Sequence, residues 1–369
     1  MPIDYRGAKI PTSYATCSIG HKETHTLPLK LKAIASAGFD GIELSMPDIL
    51  SYGKQLKGGQ EPDPKDYDTL AEIAQAIRTE TEKLGLKILM LQPFANFEGW
   101  PRGSKERADA FERAKGWMRI MQAAGTDMLQ IGSSDSDPNK MSTDRNELAA
   151  DLAELADIFA PKGFRIAYEN WCWATRAPTW RDVWDIVRRA SRPNIGLCLD
   201  TFQSAGGEWA DPTTGDGFLH ASPCLPSSSS SGAKESDVHS SGPGNEPKPS
   251  QAVQSAWEQS LRELAATIPA EKIFLLQISD AYKMDPPLED KPDAEGLRPR
   301  GRWSHDYRPL PFDGGYLPVQ DFLRAVLGTG FRGWLSVEVF DGKGEEKYGD
   351  DLEGYSKKAM DSLHKLLRD

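Results

Sequence analysis

Few of the residues that mark a secreted, nucleic-acid-bound or membrane protein are present. The 369-residue chain has four cysteines (Cys17, Cys172, Cys198 and Cys224), none in a CxxC pair. A disulfide framework is thereby disfavoured, and the cysteines read as reduced thiols of a cytoplasmic protein. The six histidines are too scattered for a histidine-rich metal site, with His220 and His239 in low-complexity sequence and His364 in a C-terminal helical stretch. Net charge is -11 and no basic stripe occurs, which argues against nucleic acid as a partner. No apolar run approaches a membrane span, and MPIDYRGAKIP at the start has no signal-peptide core. No GxGxxG follows the first strand, which disfavours a dinucleotide fold.

What the sequence does contain is most concentrated between Phe164 and Gly207. Phe164–Tyr168 is a short strand ending on Glu169. Thr179–Arg189 has helical period, with Trp180, Val183, Trp184 and Val187 on one face. Arg192-Pro193-Asn194 breaks it, and Ile195–Leu199 is a second apolar strand ending on Asp200. Strand, helix and strand make a right-handed parallel βαβ unit. Both carboxylates therefore stand at the carboxyl end of the strands, where parallel α/β proteins place their chemistry.

The same unit recurs along the chain. Strands are predicted over Ile10–Ile19, Phe39–Leu44, Leu86–Leu91, Met128–Gly132, Ile273–Leu276 and Gly333–Val339, besides the two above. Helices are predicted from Thr26 to Gly38 and over Asp66–Leu84, Lys105–Ala124, Thr143–Ala160, Ala252–Ala266, Leu317–Leu327 and Leu352–Leu367. Glycine closes several of them (Gly38, Gly85, Gly125, Gly163 and Gly330). Eight such alternations predict an α/β single domain, a (β/α)8 TIM barrel over residues 9–369, in preference to a doubly wound open sheet. Two segments interrupt the series. Residues 212–250 are rich in Ser, Gly and Pro and read as a disordered low-complexity insertion after the sixth strand. Residues 283–315 carry Arg, Trp, Tyr and His and read as a functional loop on the active face.

Four strands end on an oxygen-bearing side chain: Glu169, Asp200, Gln277 and Glu338. Three carboxylates in one barrel mouth repel unless a cation lies between them. Three carboxylates and one amide oxygen form a hard shell suited to Mg²⁺ or Mn²⁺, with Co²⁺ also accommodated. A divalent ion there can stabilise an enediolate, a step shared by sugar isomerases and some dehydratases.

At these residues the chain resembles the xylose isomerase-like TIM barrels, the sugar isomerase and epimerase superfamily. Within it the resemblance is to the 3-dehydroshikimate dehydratases of quinate catabolism. It rests on Leu91-Gln92-Pro93-Phe94, YENWCWATRAPTW from Tyr168, RPNIGLCLDTF from Arg192, Ala205-Gly206, Ala210-Asp211-Pro212-Thr213, Asp280-Ala281-Tyr282-Lys283, Gly315-Tyr316-Leu317-Pro318-Val319 and GFRGWLSVEVF from Gly330. The resemblance implies that Glu169, Asp200, Gln277 and Glu338 hold the metal. It also implies a carbon-oxygen lyase that converts 3-dehydroshikimate to protocatechuate and water.

The chain departs from the family pattern at two places. Gln203 stands three residues after Asp200, and Trp171 two after Glu169, where relatives carry histidine. The catalytic base is therefore not inherited. His305 is the first candidate and Lys283 another, with His21 and His25 behind His305. Arg308 and Arg176 are candidates for the substrate carboxylate, Gln92 for substrate contact, and Trp171 for the pocket wall. Trp173, Trp180 and Trp184 read as packing. Glu43, ending the second strand, reads as bonding a neighbouring backbone rather than reaching the site.

The alternative function is a metal-dependent isomerase or epimerase of a keto-sugar or cyclic polyol. A non-catalytic binding barrel is disfavoured by the intact donor set. An apurinic-site nuclease is disfavoured by the lack of histidines and of a basic face. The expected partner is a small molecule, with no membrane; a homo-oligomer is left open.

Overall fold

The computed structural model describes residues 2–220 and 248–368. A hairpin of β1 (Ile3–Tyr5) and β2 (Ala8–Ile10) precedes β3 (Thr12–Ala15), and α1 (Leu27–Ser36) leads to β4 (Gly41–Ser45). Then come α2 (Met46–Leu56), α3 (Tyr67–Lys83), β5 (Lys87–Phe94), α4 (Lys105–Ala124), β6 (Met128–Gly132), α5 (Arg145–Phe159) and β7 (Arg165–Glu169). The next elements are α6 (Trp180–Ala190), β8 (Ile195–Asp200), α7 (Thr201–Glu208), α8 (Gln251–Thr267) and β9 (Ile273–Ile278). The chain ends with α9 (Pro299–Asp306), β10 (Tyr307–Arg308), α10 (Val319–Gly328), β11 (Trp334–Val337), β12 (Phe340–Asp341), α11 (Gly344–Tyr348) and α12 (Leu352–Arg368).

Eight parallel strands close in the order β3-β4-β5-β6-β7-β8-β9-β11, and β11 pairs with both β9 and β3. This is the predicted TIM barrel. Local chemistry sets its punctuation. Thr179 caps α6 in a reciprocal box with Asp182, Ser104 caps α4, and Gly125, at φ 73°, ends α4 in the left-handed region.

Side chains alternate across a strand, so residues two positions apart share a face. Met128, Ala167, Cys198 and Leu275 each lie two residues before Gln130, Glu169, Asp200 and Gln277. They form, with Leu89 and Met90, a small apolar cluster separate from the main core. The barrel interior is thus an apolar plug beneath a polar layer. The main core fills the space between strands and helices and contains the fully buried Trp180, Trp257 and Trp303. No helix among the described residues is long and apolar enough to cross a membrane.

Several boundaries differ from the sequence reading. The first barrel strand is only Thr12–Ala15, because Ile3–Ile10 pairs with itself as a hairpin. α2 and α7 start directly after β4 and β8; Ser45 and Asp200 cap them, so the strand end and helix start share one residue. Residues 212–220 are not loose: Ala210 bridges Phe218, and Phe218 packs edge-on against Trp209 with ring centroids 4.9 Å apart. Ser250 caps α8. The serine-rich remainder of the expected insertion, 221–247, lies outside the described residues. Residues 283–315 are not merely loop, since they carry α9 and β10, and β10 pairs antiparallel with β12 after the last barrel strand.

Trp257 stacks on Phe322 of α10, with centroids 6.1 Å apart, and its indole N–H has no partner among the described residues. Trp257→Ala is expected to cost about 3–5 kcal/mol in chemical denaturation. Trp257→Phe keeps the stack, removes the unsatisfied donor, and is expected to cost less than about 1.5 kcal/mol. Equal losses in the two variants would show that ring packing is not what holds α8 to α10.

Candidate metal centre

The polar layer sits at the carboxyl ends of the strands. β7 ends on Glu169, β8 on Asp200, β9 carries Gln277 one residue before its end, and Glu338 follows β11. Register brings them together: Asp200 is paired with Gln277, and Gln277 with Ser336 on β11. Carboxylate oxygens of Glu169, Asp200 and Glu338 lie within 4.8 Å of one another, and all three residues are buried.

Each of the four has its own partner. Gln130 of β6 donates a short hydrogen bond to Glu169 Oε2. Asp200 Oδ1 accepts from the backbone N–H groups of Phe202 (2.6 Å) and Gln203 (3.2 Å), the start of α7. Its Oδ2 accepts from Arg308 Nη2 at 2.5 Å. Arg308 also lies 3.2 Å from Glu338 Oε2 and donates to the Glu338 backbone carbonyl and to Ser279 Oγ. Phe202 and Phe340 flank its guanidinium at 4.6 and 5.3 Å. Gln92 donates to Glu338 Oε1 at 3.2 Å. The Gln277 amide N–H groups face Glu43 Oε2 (2.8 Å) and Glu338 Oε1 (3.1 Å), while its oxygen accepts from the Cys198 thiol at 3.2 Å.

Burial dominates the electrostatics. It drives Glu169 well above the carboxylate range, with Glu338 and Asp200 adding repulsion. It pushes Glu338 up to about 8, opposed by Arg308 and reinforced by Glu43 and Asp200. It pushes Glu43 up to about 7 against the hydrogen bond from Gln277. Burial also works against the Arg308 charge, but Asp200, Glu338 and Glu169 outweigh it and hold the guanidinium protonated. One guanidinium thus faces four carboxylates (Glu43, Glu169, Asp200 and Glu338). Among the described residues, Glu169 Oε1, Glu43 Oε1 and Gln130 Oε1 are buried acceptors with no donor. A set of oxygens short of both protons and positive charge fits a hard divalent cation. Gln277 can join the set by its oxygen if the amide turns about its last bond, which exchanges the two ends.

The remaining expected residues are spread around the mouth. Trp171 is half-buried and stacked on Trp173, with centroids 5.1 Å apart. The stack is allowed by Gly132, where a Cβ would lie 2.1 Å from the Trp171 ring. His305, on α9, sets its ring edge to Trp173 at 6.0 Å and remains exposed. Partial desolvation lowers its pKa below the usual histidine value. Lys283 lines a different cavity, of about 520 Å³, beside Tyr282, Arg302, Tyr307 and Lys343; none of the four expected ligands is in its wall. Two arginine expectations change. The Arg308 fork is occupied by Asp200 and Glu338 rather than open to a substrate carboxylate. Arg176 donates to the backbone carbonyls of Ser142 and Pro138, where it ties two loops together. His25 is held between the His21 N–H and Asp350, and the His21 ring lies against Gly344, so both serve loop packing.

Sequence reasoning missed Gln130, and it set Glu43 against backbone. Both are single polar residues inside apolar strands, MLQIG and GIELS. That is the same signal that marked the four expected ligands, present again in the first half of the barrel.

The xylose isomerase-like TIM barrel family model matches residues 31–366. The chain is 32% identical over 356 residues to a protein of Neurospora crassa named 3-dehydroshikimate dehydratase, covering 94% of this chain and 90% of that one. A Pseudomonas aeruginosa protein of the same name is 32% identical over 332 residues, which is 89% of this chain and 38% of that longer one. Among solved structures, a xylose isomerase-like TIM barrel/4-hydroxyphenylpyruvate dioxygenase fusion protein superposes with a TM-score of 0.67 at 27% identity, covering 97% of this chain and 43% of that one. Strand order, mouth chemistry and these likenesses agree, and the chain belongs to the xylose isomerase-like TIM barrel family.

Proposed function

We propose that this protein is a divalent-metal-dependent carbon-oxygen lyase that converts 3-dehydroshikimate to protocatechuate and water, as in quinate catabolism. The observation that carries the reading is the buried Glu169–Asp200–Glu338 triad, in a chain similar to a 3-dehydroshikimate dehydratase over 90% of that relative's length. The unpaired thiols of Cys17, Cys172 and Cys198 are in keeping with a cytoplasmic setting.

Glu169, Asp200, Glu338 and Gln277 would hold Mn²⁺, Mg²⁺ or Co²⁺. Such an ion supplies Lewis acidity toward a carbonyl and the hydroxyl beside it, which makes the intervening C–H easier to remove. Arg308 aims Asp200 and Glu338 by pairing with both. The Trp171–Trp173 stack offers a flat wall for a six-membered ring. Gln92, pinned to Glu338, would supply a further contact to a substrate oxygen in this reading. His305 serves as the base in this reading: its lowered pKa leaves the imidazole neutral near pH 7 and able to accept the proton. Loss of that proton and of a ring hydroxyl as water, followed by tautomerisation, leaves the aromatic product. No oxidant is required.

Protein with Mn²⁺ and 3-dehydroshikimate is expected to give an ultraviolet-absorbing aromatic product. A chelator should abolish this, and Glu338→Gln should slow it by at least about 100-fold. Normal metal binding without product would sink the dehydratase reading and turn attention to keto-sugar isomerisation.

The His305 assignment has its own pH signature. A lowered pKa means the base is lost only on acidification, so kcat/KM should fall as pH drops through a value below the ordinary histidine pKa of about 6.5. His305→Gln should remove that acid limb and lower kcat by about 100-fold or more. An unchanged limb in the variant would assign the base elsewhere.

A further inference from the structure

We infer that Glu43 is a positioning residue that fixes the Gln277 amide, and through it the donor geometry at Glu338; this rests on the metal-centre reading above. Glu43 belongs to the second barrel strand and lies opposite Ala15 of β3 in the sheet register. It is fully buried, and Oε2 accepts from Gln277 Nε2 at 2.8 Å. The same nitrogen donates to Glu338 Oε1 at 3.1 Å. Glu43, Gln277 and Glu338 therefore form one chain of contacts from β4, on one side of β3, to β9 and β11 on the other.

Glu43 is outside the triad whose oxygens lie within 4.8 Å of one another, so it is not read as a fourth carboxylate ligand. Its chemistry suits orientation instead. A glutamine amide offers an acceptor at one end and two donors at the other, in nearly the same shape. A neighbour that presents an acceptor oxygen breaks that symmetry, because the oxygen draws the nitrogen end toward it. Glu43 does this for Gln277, as Gln130 does for Glu169 by donating to it, and Arg308 for Asp200. With the nitrogen held by Glu43, the amide oxygen faces the Cys198 thiol and the nitrogen lies beside Glu338, so Glu43 fixes which end of Gln277 meets that carboxylate. A buried carboxylate beside other carboxylates is costly to keep, so its presence calls for a use of this kind.

The test compares Glu43→Gln with Glu43→Ala in calorimetric titrations of metal-free protein with Mn²⁺, with Glu338→Gln as a control that locates the ion. A neutral glutamine still offers Gln277 an oxygen, whereas alanine offers nothing. Expected are Mn²⁺ affinities within about threefold of the parent for Glu43→Gln and weaker by about 10- to 100-fold for Glu43→Ala. Excess Mn²⁺ should restore kcat in Glu43→Ala, which a merely structural lesion would not allow. Should Glu43→Ala not fold, Glu43→Ser shortens the side chain beyond reach of Gln277 while keeping a polar atom, and the same weakening is expected. Equal weakening by Gln and Ala overturns the inference in favour of a charge role. Unchanged binding in Glu43→Ala or Glu43→Ser overturns it while leaving the metal centre standing. Absence of Mn²⁺ binding in the parent overturns both.

Discussion

Four carboxylates crowded into one water-poor barrel mouth repel one another, and a single guanidinium among them does not balance the charge. Most of what surrounds the mouth can be understood as an answer to that repulsion. Asp200 is placed at the start of α7, where backbone N–H groups meet it. Arg308 bridges Asp200 and Glu338 from a two-residue strand, and two phenylalanine rings keep water from its faces. The acceptors still left without donors mark where further positive charge is needed.

Labour is divided around the barrel. The second half of the strands, β7, β8, β9 and β11, supplies the residues that can hold an ion. The first half supplies the groups that aim them: Glu43 from β4, Gln92 from β5 and Gln130 from β6. Beneath both halves the plug of Met128, Ala167, Cys198 and Leu275 gives the polar layer a rigid apolar floor. A floor of this kind excludes water from below and strengthens every electrostatic contact above it. The segments after β9 and β11 are locked to each other by β10 and β12 and by the Tyr282–Asp341–Lys347 contacts. Arg308 therefore enters the mouth from a braced element rather than a free loop.

Likeness to named dehydratases and the geometry of the mouth bear on the chemistry in different ways. The fold admits many reactions, and superposition alone does not choose among them. The donor set narrows the choice to reactions in which oxygen atoms of a small molecule are polarised. Trp171 and Trp173, which follow β7, stack into a flat apolar wall. His305 of α9 packs edge-on against this wall.

The barrel and the strand-end residues were legible in the sequence because their signals are local. Apolar runs of strand length, amphipathic helices between them, and one polar residue closing each run survive without tertiary contacts. Glu169, Asp200, Gln277 and Glu338 could be read in this way. Helices α2 and α7 escaped because each shares its capping residue with the preceding strand, so no loop separates them. The roles of Arg308 and Arg176 escaped because a guanidinium carries no mark of its partner: one is taken by carboxylates more than a hundred positions away in the chain or close by, the other by backbone carbonyls. The sequence by itself determined the order of strands and helices and which residue types close each strand, since these depend on neighbours a few positions away. Tertiary structure alone decided that Gln130 and Glu43 turn inward to serve Glu169 and Gln277, because closing the barrel is what brings the ends of distant strands within hydrogen-bonding reach.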